Sequence, residues 1–255
     1  HQLTRRQRQM CIRDSMETWD IDRPGVDVLE WAFGYLLQNK FIEQRTTSDK
    51  FPKNLLIEND SGRAEVLLKG SAMENLSLIL RNGDIIKELR DEVDAYEYDL
   101  TIIGGSAKRS MSHDMIQYIN SSIFVVNNFN KTITYKILLA VDDSPGTKKA
   151  VKYGVRVAQA FGIKVQIITV NEDENFKEAN KKSSENASKM MRRCGVEAET
   201  KFEIGKPADK IIEIAGEDHI IIMGASTQSP IAKFFIGSKP LNVMQNSNCP
   251  ILIVK

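Results

Sequence analysis

Ile220-Ile221-Ile222-Met223 runs straight into Gly224-Ala225-Ser226-Thr227-Gln228-Ser229-Pro230-Ile231-Ala232-Lys233-Phe234-Phe235-Ile236-Gly237-Ser238. An apolar strand ends in Gly, and a loop returns to Gly-Ser where a helical segment of about 239–247 begins; a closing strand, Ile251 to Val254, follows. A strand, a glycine loop and a helix start in that order form a phosphate cradle in α/β proteins. Glycine lets the backbone approach an anion, and the unpaired N–H groups of the first helical turn point at it.

Upstream of this stretch the pattern alternates strand and helix. Lys136 to Val141 is an apolar strand, and Asp142-Asp143-Ser144-Pro145-Gly146 is turn chemistry with Asp and Ser available as caps. Ala150, Val151, Val155, Ala158 and Phe161 recur at helical spacing, with Gly162 to end the helix. Val165 to Val170 is a strand of the buried type. Glu172 to Arg193 is a polar helix closed by Cys194-Gly195. Glu199 to Ile204 alternates as a strand, and Pro207 opens a helix through Ala215. The order is βαβαβαβαβ, which implies an open, mostly parallel sheet with helices on both faces.

The first half repeats this unit at an offset of about 121 residues. Asp22-Arg23-Pro24-Gly25 matches Asp143-Ser144-Pro145-Gly146, and the helix Val28 to Gln38 matches Ala150 to Gly162. Leu76 to Arg81 with Gly83-Asp84-Ile85-Ile86 matches the strand before Gly205 and its helix. Leu100-Thr101-Ile102-Ile103-Gly104-Gly105 matches the strand before Gly224, and Ser122 to Val126 matches the terminal strand. A duplication of this length predicts two whole domains, residues 16–130 and 131–255, with polar Asn127 to Thr134 as the linker. The copies are unequal. The first copy's opening strand falls at Met16-Glu17-Thr18-Trp19-Asp20 and its second at Phe41 to Thr46, both too polar for central strands. The loop after Gly105 is shorter than that after Gly224 by about eight residues and lacks the returning Gly-Ser. The first copy is therefore expected to have no phosphate loop.

Composition bounds the function. The chain has 255 residues with a formal net charge of +1, so no bulk field draws it to nucleic acid or an anionic membrane. No apolar run approaches the roughly 18–20 residues that span a bilayer, and residues 1–15 contain no secretory apolar region. Three cysteines without a repeating spacing suggest neither a disulfide framework nor a zinc site, and a reducing cytoplasm is the expected location. Arg8-Gln9-Met10-Cys11-Ile12-Arg13-Asp14-Ser15 resembles a translated sequencing adapter, so residues 1–15 are expected to be foreign to the fold.

Gly224, Thr227, Gly237 and Ser238 keep the spacing of the G-x2-G-x9-G-S/T nucleotide loop of the universal stress protein family, with Thr227 in place of the middle Gly. Ala140-Val141-Asp142 with Ser144, and the ending Cys249-Pro250-Ile251-Leu252-Ile253-Val254, also resemble that family. The resemblance covers 135–255 fully and about 20–130 in degenerate form. It implies two tandem Rossmann-like domains of the adenine nucleotide alpha hydrolase-like kind, each an open five-stranded sheet flanked by helices, the first copy incomplete. It also implies ATP, with magnesium accompanying it, in the second domain. Asp142 would contact the nucleoside, and Val170 the base through its backbone. The phosphates would lie on Gly224, Gly237 and Ser238, with Met223, Thr227 and Lys239 beside them. The implied role is a cytoplasmic stress-response or regulatory binding protein with at most weak ATP hydrolysis. The tandem would supply internally the two-fold pair that single-domain members make as dimers, with homodimerisation a further option and neither nucleic acid nor membrane as partner.

Three residues depart from the pattern. Thr227 brings a β-branched side chain where Gly permits positive φ. Pro240 removes one N–H from the helix start, and Lys239 replaces a small apolar residue, either to pair with phosphate or to be solvated. Two alternatives stay open: an interaction module that has lost nucleotide binding, and a slow nucleotide hydrolase on the same fold. His113-Asp114 reads as an exposed polar loop, His219 as a helix–strand junction, Asp142-Asp143 as a cap or ribose contact and Cys249 as a packed thiol. No metal-ligand spacing and no G-K-S/T pattern is present. Deleting residues 1–15 is expected to leave the melting temperature unchanged by calorimetry; a fall of several degrees would show that the segment is part of the fold.

Overall fold

The computed structural model describes residues 25–42, 55–58, 63–67, 76–104, 114–115, 117–225, 242–243 and 246–255. The chain forms two compact units, residues 1–84 and 85–255. The expected strands at 16–20 and 41–46, and the adapter-like segment 1–15, lie wholly or largely outside the described residues.

In the first unit, α1 (Val26–Gln38) accompanies a three-stranded antiparallel sheet of β1 (Leu55–Glu58), β2 (Arg63–Leu67) and β3 (Leu78–Arg81) in the order β1-β2-β3. Leu55 pairs with Leu67, Glu58 with Ala64, and Arg63 with Arg81. Phe33 and Val66 are buried, with Leu29, Leu37, Leu78 and Leu80 packed on them. The helix and β3 fall where the repeat predicts. The β1–β2 hairpin is an addition: Asn59-Asp60-Ser61-Gly62 lies between its apolar runs, and β3 takes β2 as its partner.

The second unit is a seven-stranded sheet flanked by helices. Its elements are α2 (Ile85–Tyr96), β4 (Leu100–Gly104), β5 (Ser122–Val126), β6 (Lys136–Ala140), α3 (Pro145–Phe161), β7 (Val165–Asn171), α4 (Glu178–Arg193), β8 (Ala198–Ile204), α5 (Pro207–Ala215), β9 (His219–Gly224) and β10 (Ile251–Val254). The order is β4-β5-β10-β9-β6-β7-β8, parallel throughout except at β5–β10. The second copy's five strands are contiguous. The runs of β6, β9 and β10 are apolar at nearly every position because both faces are covered, whereas the edge strand β8 is largely polar and exposed. Leu138, Ile168, Ile221, Ile251 and Ile253 pack on one face with Ala208, Ile211 and Ala215 of α5; Val93 of α2, Ile123 and Val125 belong to the same cluster. Ile137, Leu139, Ile167, Ile222 and Leu252 pack on the other with Ala150, Val151 and Val155 of α3 and Ala187 and Met191 of α4. Gly162 closes α3 at φ 64°, as its place after Phe161 predicts.

The unit boundary at Asp84 and Ile85 differs from the repeat boundary near 127–134 because hydrogen bonds cross the repeat. In β5–β10, Phe124 faces Leu252, Ile123 faces Ile253 and Val125 faces Ile251. Under the sequence repeat Phe124 and Leu252 are equivalent positions, so the seam is self-complementary about that pair, as at an isologous two-fold. The flanking registers agree: Thr101 pairs with Ile123 and Gly104 with Val126, just as Ile221 pairs with Ile251 and Gly224 with Val254.

Lys255 crosses this seam. Its N–H donates to Ser122 Oγ at 3.3 Å, its ammonium donates to the Ile119 carbonyl, and its own carbonyl accepts from Lys149 Nζ at 3.1 Å. Burial lowers the Lys255 ammonium from the ordinary 10.5 to about 8. The native chain therefore gives up this proton near pH 8, while the unfolded chain holds it until about 10.5, so the unfolded state binds more protons between those values. Relative to Lys255→Met, the wild type should gain stability as pH rises from 8 to 10.5. Urea titrations of both proteins across that range check the trend, and a difference that stays flat or reverses contradicts it.

Candidate functional site

In a parallel sheet every strand ends at the same edge, so the residues that follow β6, β7 and β9 are brought together whatever their separation in sequence. Asp142 follows β6, Val170 lies at the end of β7, and Met223 and Gly224 end β9. These four line one small cleft, together with Ala140, Val141, Ile168, Pro207 and Ile211. Thr227, Gly237, Ser238 and Lys239 lie outside the described residues. Pro207 and Ile211, one turn apart on α5, form an apolar wall that the sequence reading left out. The signal was available: α5 begins directly after β8, so its first turn belongs to the same edge.

Among the described residues Asp142 is the cleft's one carboxylate. Its Oδ1 accepts from the Ser144 N–H at 3.0 Å, from Ser144 Oγ at 2.5 Å and from Thr147 Oγ1 at 2.7 Å. Ser144 stands at the N-cap position of α3, yet its hydroxyl makes no cap bond to that helix. It serves Asp142 instead. The sequence reading offered Asp142-Asp143 as a cap or ribose contact, and Asp142 is held by its own loop, facing the cleft. Behind it, Thr169 Oγ1 donates to the Val141 carbonyl at 3.2 Å and tethers β7 to the end of β6.

Gly146 and Gly224 meet backbone to backbone. A Cβ on Gly224 would lie 2.4 Å from the Gly146 carbonyl carbon, and a Cβ on Gly146 would lie 2.5 Å from the Ala225 oxygen. The first turn of α3 therefore sits directly on the strand end where the Gly224 loop departs. Ala225 donates its N–H to Val254 O at 2.7 Å, which fixes the first residue of that loop to β10. Gly104, the first copy's counterpart of Gly224, has none of the described residues within 4 Å of its Cβ position.

The remaining candidates lie elsewhere. His219 is the first residue of β9, at the sheet edge opposite Asp142. Its Nδ1 lies 3.0 Å from the Ala215 carbonyl and 2.7 Å from Asp218 Oδ1, and its Nε2 is buried without a hydrogen-bond partner. Burial works to raise the Asp218 carboxyl, but His219 and Lys136, the latter at 3.3 Å, outweigh it and hold it below its ordinary 3.8. Cys249 is fully buried, and burial pushes its thiol up to about 11, so it is an inert packed group. His113 lies outside the described residues. Among the described residues no group of three or more His, Cys, Asp or Glu is placed to hold a metal, and no helix is long and apolar enough to cross a membrane.

The substitution Gly224→Ala forces backbone to move against backbone and is expected to cost about 1–3 kcal/mol. Gly104→Ala meets none of the described residues and should cost less than about 0.5 kcal/mol. Chemical denaturation of the two variants measures the contrast, and equal losses would contradict the contact.

Comparison with known proteins follows this architecture. Residues 134–255 match the model of the Universal stress protein family. A universal stress protein of Thermus aquaticus is 32% identical over 133 residues, 47% of this chain and 97% of the relative. One from Methanocaldococcus jannaschii is 27% identical over 138 residues, covering 47% of this chain and 81% of the relative. The crystal structure of a universal stress protein from Archaeoglobus fulgidus superposes with a TM-score of 0.55 at 20% identity, over 74% of this chain and 70% of that one, so the shared fold extends beyond the second copy. With one such relative matched over nearly its whole length, the chain belongs to the universal stress protein family.

Proposed function

We propose that the second copy binds an adenine nucleotide, ATP with its magnesium, and that the chain is a cytoplasmic regulatory binding protein. The observation that carries this reading is the single cleft in which Asp142, Val170, Met223 and Gly224 meet. Its apolar walls, Ile168, Pro207 and Ile211, suit a planar base. Asp142 suits a ribose hydroxyl, because an ionised carboxylate only accepts hydrogen bonds. Gly224, at the start of the loop, suits the phosphates, with Thr227, Gly237, Ser238 and Lys239 receiving them further along. In this reading these residues bind and orient a nucleotide and none acts on it: among the described residues the cleft's one titratable side chain is Asp142, whose Oδ1 is engaged by its own loop.

The β5–β10 seam serves, in the same reading, as the internal counterpart of a dimer contact, with residues 16–130 as the degenerate partner and 131–255 as the binding copy. A pure interaction module is the rival. Thr227 favours it, since a β-branched side chain hinders close approach of phosphate to the backbone.

Isothermal titration with ATP and magnesium separates the two. The expected stoichiometry is one per chain. Thr227→Gly should tighten binding, and Gly237→Val should weaken it about tenfold or more, the loss of one charge-assisted hydrogen bond. A wild type that binds no ATP at millimolar concentration, and is not rescued by Thr227→Gly, overturns the proposal in favour of the interaction module.

A further inference from the structure

The Asp142 side chain and backbone are both held by a residue outside the cleft lining. Thr147, 5% exposed in the first turn of α3, donates its hydroxyl proton to Asp142 Oδ1 at 2.7 Å and accepts the Asp142 N–H at 3.2 Å. A hydroxyl has one proton and two lone pairs, so both bonds form together. Thr147 therefore fixes the backbone and the side chain of the same residue, and as a β-branched side chain it has few rotamers of its own. Ser144 adds its N–H and hydroxyl to the same oxygen. The carboxylate is thus set in place before any ligand arrives, and its orientation adds no ordering cost to binding.

We infer that Thr147 is the positioning residue through which Asp142 reads a ribose hydroxyl, so that the cleft takes a ribonucleotide in preference to a deoxyribonucleotide. The inference rests on the nucleotide reading above. The base end of the cleft is walled by Ile168, Val170, Pro207, Ile211 and Met223, none with a polar side chain. Among the described residues Asp142 is the lining side chain that can accept from a sugar hydroxyl, and a sugar lacking that hydroxyl forgoes the contact.

The test is titration of the full chain with ATP, 2′-deoxy-ATP and 3′-deoxy-ATP. The wild type should prefer ATP over at least one deoxy analogue by about tenfold, the worth of one charge-assisted hydrogen bond. Thr147→Ser keeps the hydroxyl and should keep the preference. Thr147→Val removes the hydroxyl at similar volume and should bring the ratio near one, while affinity for the less favoured analogue stays within about threefold. That retained affinity also reports a folded site. Thr147→Ala, which asks for no buried space, carries the same reading where valine disrupts folding. A valine or alanine variant with the wild-type ratio, or a serine variant that loses it equally, overturns the inference. A wild type that binds all three alike overturns it and leaves the nucleotide reading standing; a wild type that binds none overturns both.

Discussion

The second unit's binding edge depends on one backbone contact, Gly146 against Gly224. It locks the first turn of α3 onto the end of β9, at a separation that leaves no room for a methyl group on either residue. Three consequences come from that closeness. Asp142, four residues before Gly146, is carried to the mouth of the cleft. Thr147, immediately after Gly146, is turned inward against Asp142. The loop that leaves Gly224 starts at the helix, with Ala225 already tied to β10. Two glycines, far apart in sequence, thus bring the Asp142 turn to the end of β9.

The same comparison explains why the two copies differ. Gly104 keeps the glycine of the duplicated strand, yet none of the described residues approaches its Cβ position. β4 is also more exposed than β9: Ile102 is 62% and Leu100 37% accessible. Among the described residues of the first half, β4 and β5 pair in parallel, with α2 beside them. Their register against one another is that of β9 and β10, and Val93, Ile123 and Val125 share a hydrophobic cluster with Ile251 and Ile253 of the second copy.

Much of the fold was legible because its signals are local. Apolar runs such as Ile137–Leu139 and Ile220–Met223 identify buried parallel strands, and Gly162 and Gly195 end helices where positive φ is required. Asp142, Val170, Met223 and Gly224 could be grouped in advance, since strand ends in a parallel sheet share an edge. Pairing is non-local, and there the reading thinned. Nothing in Arg63-Ala64-Glu65-Val66-Leu67 says that its partners are β1 and β3, and nothing in Ser122–Val126 says that it will bond to β10 across the repeat boundary. Thr147 was hidden for another reason. Its role depends on a side chain reaching five residues back along a turn, a geometry that residue type alone does not reveal.

The self-complementary seam around Phe124 and Leu252 has an evolutionary corollary. Between separate chains such a seam would form only above some concentration, and any substitution would appear on both sides of it at once. Within one chain the tether supplies a high effective concentration, so the pairing does not depend on how much protein the cell holds. The tether also breaks the identity of the two sides. One half is free to accumulate changes that a symmetric pair would suffer twice, provided that β5 keeps its edge for β10. In the reading proposed above, covalent linkage would turn a symmetric assembly into an asymmetric one, with one partner kept for its surface and the other for its cleft.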